Sequence, residues 1–142
     1  MIRNILCLAV GSILLAGCVT VHEARPIPDD KRATESQILE SGRLLRHVVL
    51  FKFKDDTTDE QVRQIERAFS TLPNKIQVIH DFEWGTDVSV ENLQQGFTHC
   101  FVVTFRSRAD RAKYLPHPAH KMFGQLLDPH LDKVLVIDYW TK

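Results

Sequence analysis

The chain is poor in cysteine, with three in 142 residues. That is too few for a disulfide framework, and two of them, Cys7 and Cys18, fall at the very start. It has no excess of charge either: 18 lysines and arginines balance 18 aspartates and glutamates. No basic stripe stands out, which removes the electrostatic footprint of a nucleic-acid binder. No apolar run reaches the ~20 residues of a transmembrane helix. Neither an HExxH helix nor paired cysteines occur, so no metal site is expected. What remains is an ordinary globular composition, 44% hydrophobic and 25% charged. The length suits one domain and hardly two.

The first residues, "MIRNILCLAVGSILLAGC", place Arg3 ahead of an apolar stretch, which is the form of a secretory signal. The ending Leu15-Ala16-Gly17-Cys18 resembles the bacterial lipobox, in which the signal is cut before the cysteine and the thiol is lipidated. Residues 1–17 are therefore expected to be a lipoprotein signal peptide and Cys18 the lipidated start of the mature chain. Val19, rather than aspartate, follows. In enteric-type lipoproteins this implies outer-membrane sorting, with the domain in the periplasm. Residues 18–43 hold two prolines and many charges and read as a flexible tether, with at most a short helical turn at 34–40. Residues 44–142 form the domain.

Within the domain, "LLRHVVLFKFK" is rich in β-branched and aromatic residues and reads as a strand. "TTDEQVRQIERAFSTL" reads as an amphipathic helix with Thr58 as N-cap and Gln61 completing a capping box. "IQVIHDFEWG" and "FTHCFVVTFR" read as further strands. "SRADRAKYL" starts a helix capped by Ser107, two prolines interrupt it, and "PAHKMFGQLL" resumes it. "KVLVIDYW" is the last strand. The order β-α-β-β-α-β predicts an α+β, ferredoxin-like antiparallel sheet with both helices on one face.

Alternation along the strands makes both sheet faces apolar. His47, Val49, Phe51 and Phe53 share one face of the first strand, and Val48 and Leu50 the other. His99, Phe101, Val103 and Phe105 alternate with Cys100, Val102 and Thr104. Two helices cover one face only, so the other calls for a second copy of the chain. Cys100 faces away from the histidines and reads as a small buried hydrophobe. With the first and third strands as parallel central neighbours, His47 and His99 are expected at the same end of the same face. There the second helical region would bring Tyr114, His117 and His120 towards them.

The stretch "YLPHPAHKMFG", residues 114–124, concentrates a tyrosine, two histidines and two prolines. Pro116 and Pro118 disfavour helical geometry before them, and Pro118 can open the next helix at its first position. His117 precedes Pro118 and suits a turn or cap. The break lets Tyr114 and His120 converge.

Together, "LRHVVLFKFK", Trp84-Gly85, "GFTHCFVVTF" and "YLPHPAHKMFG" resemble the stress-responsive dimeric A/B barrel (Dabb) family over nearly the whole domain. The resemblance implies a ferredoxin-like protomer and a homodimeric α/β barrel. One plant member closes a polyketide ring without metal or organic cofactor, using a tyrosine and a histidine in a Y-x-x-H-P-A-H stretch. Carried over, these are Tyr114 and His120 as catalytic residues. His47, His99 and His117 match pocket histidines, and Val49, Phe101 and Phe123 are the apolar substrate-binding candidates. Glu83 stands where that member has an aromatic, which implies an acid near the mouth. Some plant relatives hold a cation on backbone carbonyls in the region matching residues 73–79. Two functions follow: a cofactor-independent enzyme acting on a small carbonyl compound, or a non-catalytic, small-molecule-binding or stress-protective protein.

Overall fold

The computed structural model describes residues 42–142; the expected leader, Cys18 and all but the last two residues of the expected tether lie outside the described residues. Strands β1 (Leu45–Phe53), β2 (Asp81–Thr86), β3 (His99–Phe105) and β4 (Leu131–Trp140) form one sheet in the order β2-β3-β1-β4, with every neighbouring pair antiparallel. Helix α1 (Asp59–Ser70) and the single turn α2 (Leu72–Lys75) connect β1 to β2. Helices α3 (Arg108–Tyr114) and α4 (Pro118–Leu127), followed by a 3-10 turn, connect β3 to β4. This is the expected ferredoxin-like β-α-β-β-α-β arrangement.

Helix α1 starts where its capping chemistry dictates. The Gln61 N–H donates to Thr58 Oγ1 at 3.3 Å, and the Thr58 N–H donates to Gln61 Oε1 at 2.8 Å. Ser107 caps α3 by accepting from the Asp110 N–H at 3.1 Å. Ile65 and Phe69 of α1 are buried against the sheet. The Phe69 ring lies 4.3 Å from Phe101 and 4.6 Å from Phe123, centroid to centroid. A side chain so enclosed gains about 1.5–3 kcal/mol of transfer free energy.

Two expectations need correction. The second strand begins at Asp81, and residues 76–80 are outside the sheet. Ile76 is buried, and the Ile79 N–H turns back to the Ile76 carbonyl at 3.1 Å, so these apolar residues serve the core without pairing in a ladder. More consequentially, β1 and β3 are central neighbours but antiparallel: Phe51 lies opposite His99, and His47 opposite Val103. The α1 crossover makes β1 and β2 parallel with a gap between them, and β3 enters that gap directly from β2, so it opposes both. His47 and His99 therefore share a face but occupy opposite ends, about 13 Å apart along the strands.

On the face away from the helices, Val48 lies opposite Val102 and Ile137, and Leu50 opposite Cys100 and Leu135. Leu135, Ile137 and Tyr139 of the edge strand are each more than 40% exposed in the single chain.

Candidate active site

A cavity of about 480 Å³ lies between β1, β4 and the α3–α4 region. Its walls are largely apolar, with Val49, Phe51, Phe69, Phe123, Leu127 and Val136 among them, while His47, Tyr114, His120, Asp128 and Asp138 supply polar groups. Tyr114 closes α3 and is fully buried. Its ring centroid lies 4.3 Å from that of His120, 5.9 Å from His47 and 5.1 Å from Phe105.

The proline break builds this contact by rewiring the backbone. In a continuous helix the Ala119 N–H would donate to the Leu115 carbonyl. Here His117 adopts an extended conformation, as the residue before proline prefers, and its Nδ1 accepts from the Ala119 N–H at 3.1 Å. His117 is thus the N-cap of α4, with Pro118 at the first helical position. The Leu115 carbonyl is released and accepts a hydrogen bond from His120 Nδ1 at 3.0 Å. A carbonyl can only accept, so Nδ1 carries the proton and the neutral ring keeps its free lone pair on Nε2. Burial, the largest influence, pushes the His120 pKa below its ordinary value; the Leu115 bond opposes this, and His47 and His117 add to the lowering. His120 is thus biased towards the unprotonated form, as a general base requires.

The Tyr114 hydroxyl has no hydrogen-bond partner among the described residues. Burial pushes its pKa well above the usual phenol value, so the group stays an O–H donor. Leaving such a donor unpaired costs about 1–3 kcal/mol, which a ligand oxygen in the cavity would relieve. His47 is buried, and its Nδ1–H donates to Asp138 Oδ1 at 2.9 Å, which leaves Nε2 as the ring nitrogen available to the cavity.

Val49 and Phe123 line the cavity, but three other candidates do not. His99 is at the far end of the sheet, where Nε2 meets Glu66 Oε1 at 3.0 Å and Nδ1 meets Thr98 Oγ1 at 2.8 Å. The antiparallel direction of β3 puts it there. Phe101 is a core residue, stacked on Phe69 and on Trp84 at 5.5 Å. His117 acts as the cap. Glu83 is also not at the mouth: β2 is the edge strand opposite β4, and Glu83 pairs with Val102 on the face away from the helices. Among the described residues, no three His, Cys, Asp or Glu side chains gather as a metal site.

The reading of the sequence missed Asp138 and Arg111. Asp138 lies opposite His47 in the β1–β4 register and pairs with Arg111 Nη1 at 2.9 Å. The available signal was an acid in the alternating row Val134, Val136, Asp138, whose other members are apolar.

A ferredoxin-like sheet with a tyrosine–histidine cavity beneath its helices defines the class. The chain belongs to the stress-responsive A/B barrel domain family, which matches residues 45–141. It is 45% identical over 95 residues to the stress-response A/B barrel domain-containing protein HS1 of Arabidopsis thaliana, covering 67% of this chain and 87% of that one. It is 36% identical over 95 residues to olivetolic acid cyclase of Cannabis sativa, covering 67% and 94%. Among solved structures, the hydroxynitrile lyase of Passiflora edulis is 30% identical with a TM-score of 0.66, covering 70% of this chain and 94% of that one. A dimeric ferredoxin-like protein of unknown function from Bacteroides fragilis is 26% identical with a TM-score of 0.58, covering 69% and 96%. The family thus includes enzymes.

Proposed function

We propose that this protein is a lipid-anchored, homodimeric enzyme that moves a proton at the carbon beside the carbonyl of a small, largely apolar compound. The observation that carries this reading is the buried, unpartnered Tyr114 hydroxyl against the His120 ring at the cavity. His120 Nε2 takes the proton, and the C–H electron pair passes into an enolate. The Tyr114 O–H donates a hydrogen bond to the enolate oxygen as its charge develops. The apolar walls, Val49 and Phe123 included, hold the rest of the molecule. An olivetolic acid cyclase and a hydroxynitrile lyase among the similar proteins support an enzymatic reading.

The test is hydrogen exchange in D₂O. Small methyl ketones and 1,3-dicarbonyl compounds are first screened for a rise in melting temperature of the full chain in detergent, since a ligand of the native state must stabilise it. Binders should then gain deuterium beside the carbonyl, followed by proton NMR, and Tyr114→Phe should slow this by about tenfold or more. A compound that binds in the cavity yet exchanges no faster than in buffer would sink the catalytic role. It would instead favour a non-catalytic binding protein.

The anchor rests on Leu15-Ala16-Gly17-Cys18 behind an apolar leader. One acyl chain gives only marginal membrane binding, while two or more hold stably. We therefore expect wild type in the outer-membrane fraction and labelled by radioactive palmitate, and Cys18→Ser unlabelled. A Cys18→Ser chain that still takes up the label would overturn the lipoprotein assignment. A dimeric Bacteroides fragilis neighbour supports a homodimer, and the apolar sheet face bearing Val48, Leu50, Val102 and Ile137 is our choice for the second copy.

A further inference from the structure

The carboxylate of Asp138 is shared. Oδ1 accepts from His47 Nδ1–H at 2.9 Å, and Oδ2 meets Arg111 Nη1 at 2.9 Å. The three residues come from β1, β4 and α3, so the chain of contacts ties the sheet to the helix that carries Tyr114. Arg111 lies three residues before Tyr114, on the same side of α3. One helical face thus delivers the cavity's hydroxyl donor and the cation that holds Asp138. Nothing in the proton step at His120 requires this arrangement, and a solvated helix does not need its arginine turned onto a strand carboxylate.

We propose that Arg111 is a positioning residue: through Asp138 it fixes His47 as the Nδ1–H tautomer, with Nε2 presented to the cavity as a hydrogen-bond acceptor. The physical case rests on charge as well as geometry. A carboxylate alone beside an imidazole favours the imidazolium, which would turn Nε2 into a donor and abolish the acceptor. The guanidinium on the other carboxylate oxygen offsets that field. The remaining groups around His47 are Tyr114 of α3, His120 of α4 and the Phe105 ring of β3, none of which brings a negative charge. The cavity then offers a ligand the Tyr114 O–H as donor and, beside the carboxylates of Asp128 and Asp138, the Nε2 lone pairs of His47 and His120 as acceptors. This set suits a compound that carries a hydroxyl or enol proton near its carbonyl oxygen. The ligand class rests on the proposed proton-transfer site; the state of His47 does not.

The test is ¹⁵N NMR of histidine-labelled full-length chain in detergent micelles, without ligand. Wild type should show His47 with a proton on Nδ1 and a bare lone pair on Nε2. Arg111→Met should turn the Nε2 signal from bare to protonated with Nδ1 still protonated, and Asp138→Leu, which removes the acceptor, should let the proton exchange between the two nitrogens. Arg111→Lys, which keeps the charge, should restore the wild-type signals. The two outcomes differ in kind, whereas general loosening of the fold would give both variants the same mixed signal. If both variants leave the His47 signals unchanged, or give the same signals, the assignment of Arg111 is overturned. Because no turnover is read, the expected signals support the assignment even where the exchange experiment finds no catalysis, and the two ideas fail separately.

Discussion

His120→Ala should lower the rate of deuterium exchange and of any full turnover by about 10² to 10⁴-fold, the range in which a positioned general base contributes. The fold should survive. The substitution removes one hydrogen bond to the Leu115 carbonyl, worth about 0.5–1.5 kcal/mol, and part of the packing on Tyr114. Turnover per folded molecule is therefore the quantity to compare, with melting temperature measured alongside. The pH dependence gives a second check. The base works unprotonated, and burial holds its pKa below that of an ordinary histidine, so the acid limb of kcat/KM should fall at lower pH than an exposed histidine would give. Ionisation of Tyr114 lies too high to produce an alkaline limb in the neutral range. A variant that loses most of its stability while keeping its rate per folded molecule would make His120 structural.

Leu50→Glu should abolish the dimer, leaving monomer or aggregate in sedimentation at micromolar concentration. Leu50 sits between Cys100 and Leu135 on the face that the helices leave open. Apolar surface there contributes about 25 cal/mol per Å² when covered, before association costs. A carboxylate introduced at its centre has no cation opposite it and would be buried without a partner, which costs several kcal/mol. Lys52→Glu, on the same strand but already engaged with Asp132 at 2.8 Å, is the control for charge on this surface in general and should leave more dimer. A wild-type chain that is monomeric at that concentration would remove the second copy altogether.

Much of the fold was legible because its signals are local. Thr58 with Gln61 and Ser107 marked helix starts by side-chain chemistry, and the alternation in β1 and β3 set which residues share a face. The meeting of Tyr114 and His120 was also legible, since Pro116 and Pro118 act within a few residues. Strand direction was not. Whether β3 runs with or against β1 depends on how two distant connections cross the sheet, and misjudging it carried His99 to the wrong end. Register was equally hidden: only the pairing of β1 with β4 sets Asp138 against His47. Arg111 lay in "SRADRAKY", a charged helical stretch whose orientation is decided by tertiary packing, and Glu66, the partner of His99, lay in another. Glu83 was misplaced because strand order across the sheet decides which edge it occupies.

The acceptor that positions the proton on His120 is a main-chain carbonyl, set free by the interruption between α3 and α4. It is therefore independent of the side chain at position 115. Leu115 is 45% exposed and can change identity without altering the tautomer it governs, so drift there touches the wall of the cavity but not the place of the proton. The vulnerable positions are His117 and Pro118, where a change that lets the Ala119 N–H reclaim the Leu115 carbonyl would set the helix and the imidazole in competition for one oxygen. Robustness to mutation here comes from encoding the proton's place in the path of the backbone.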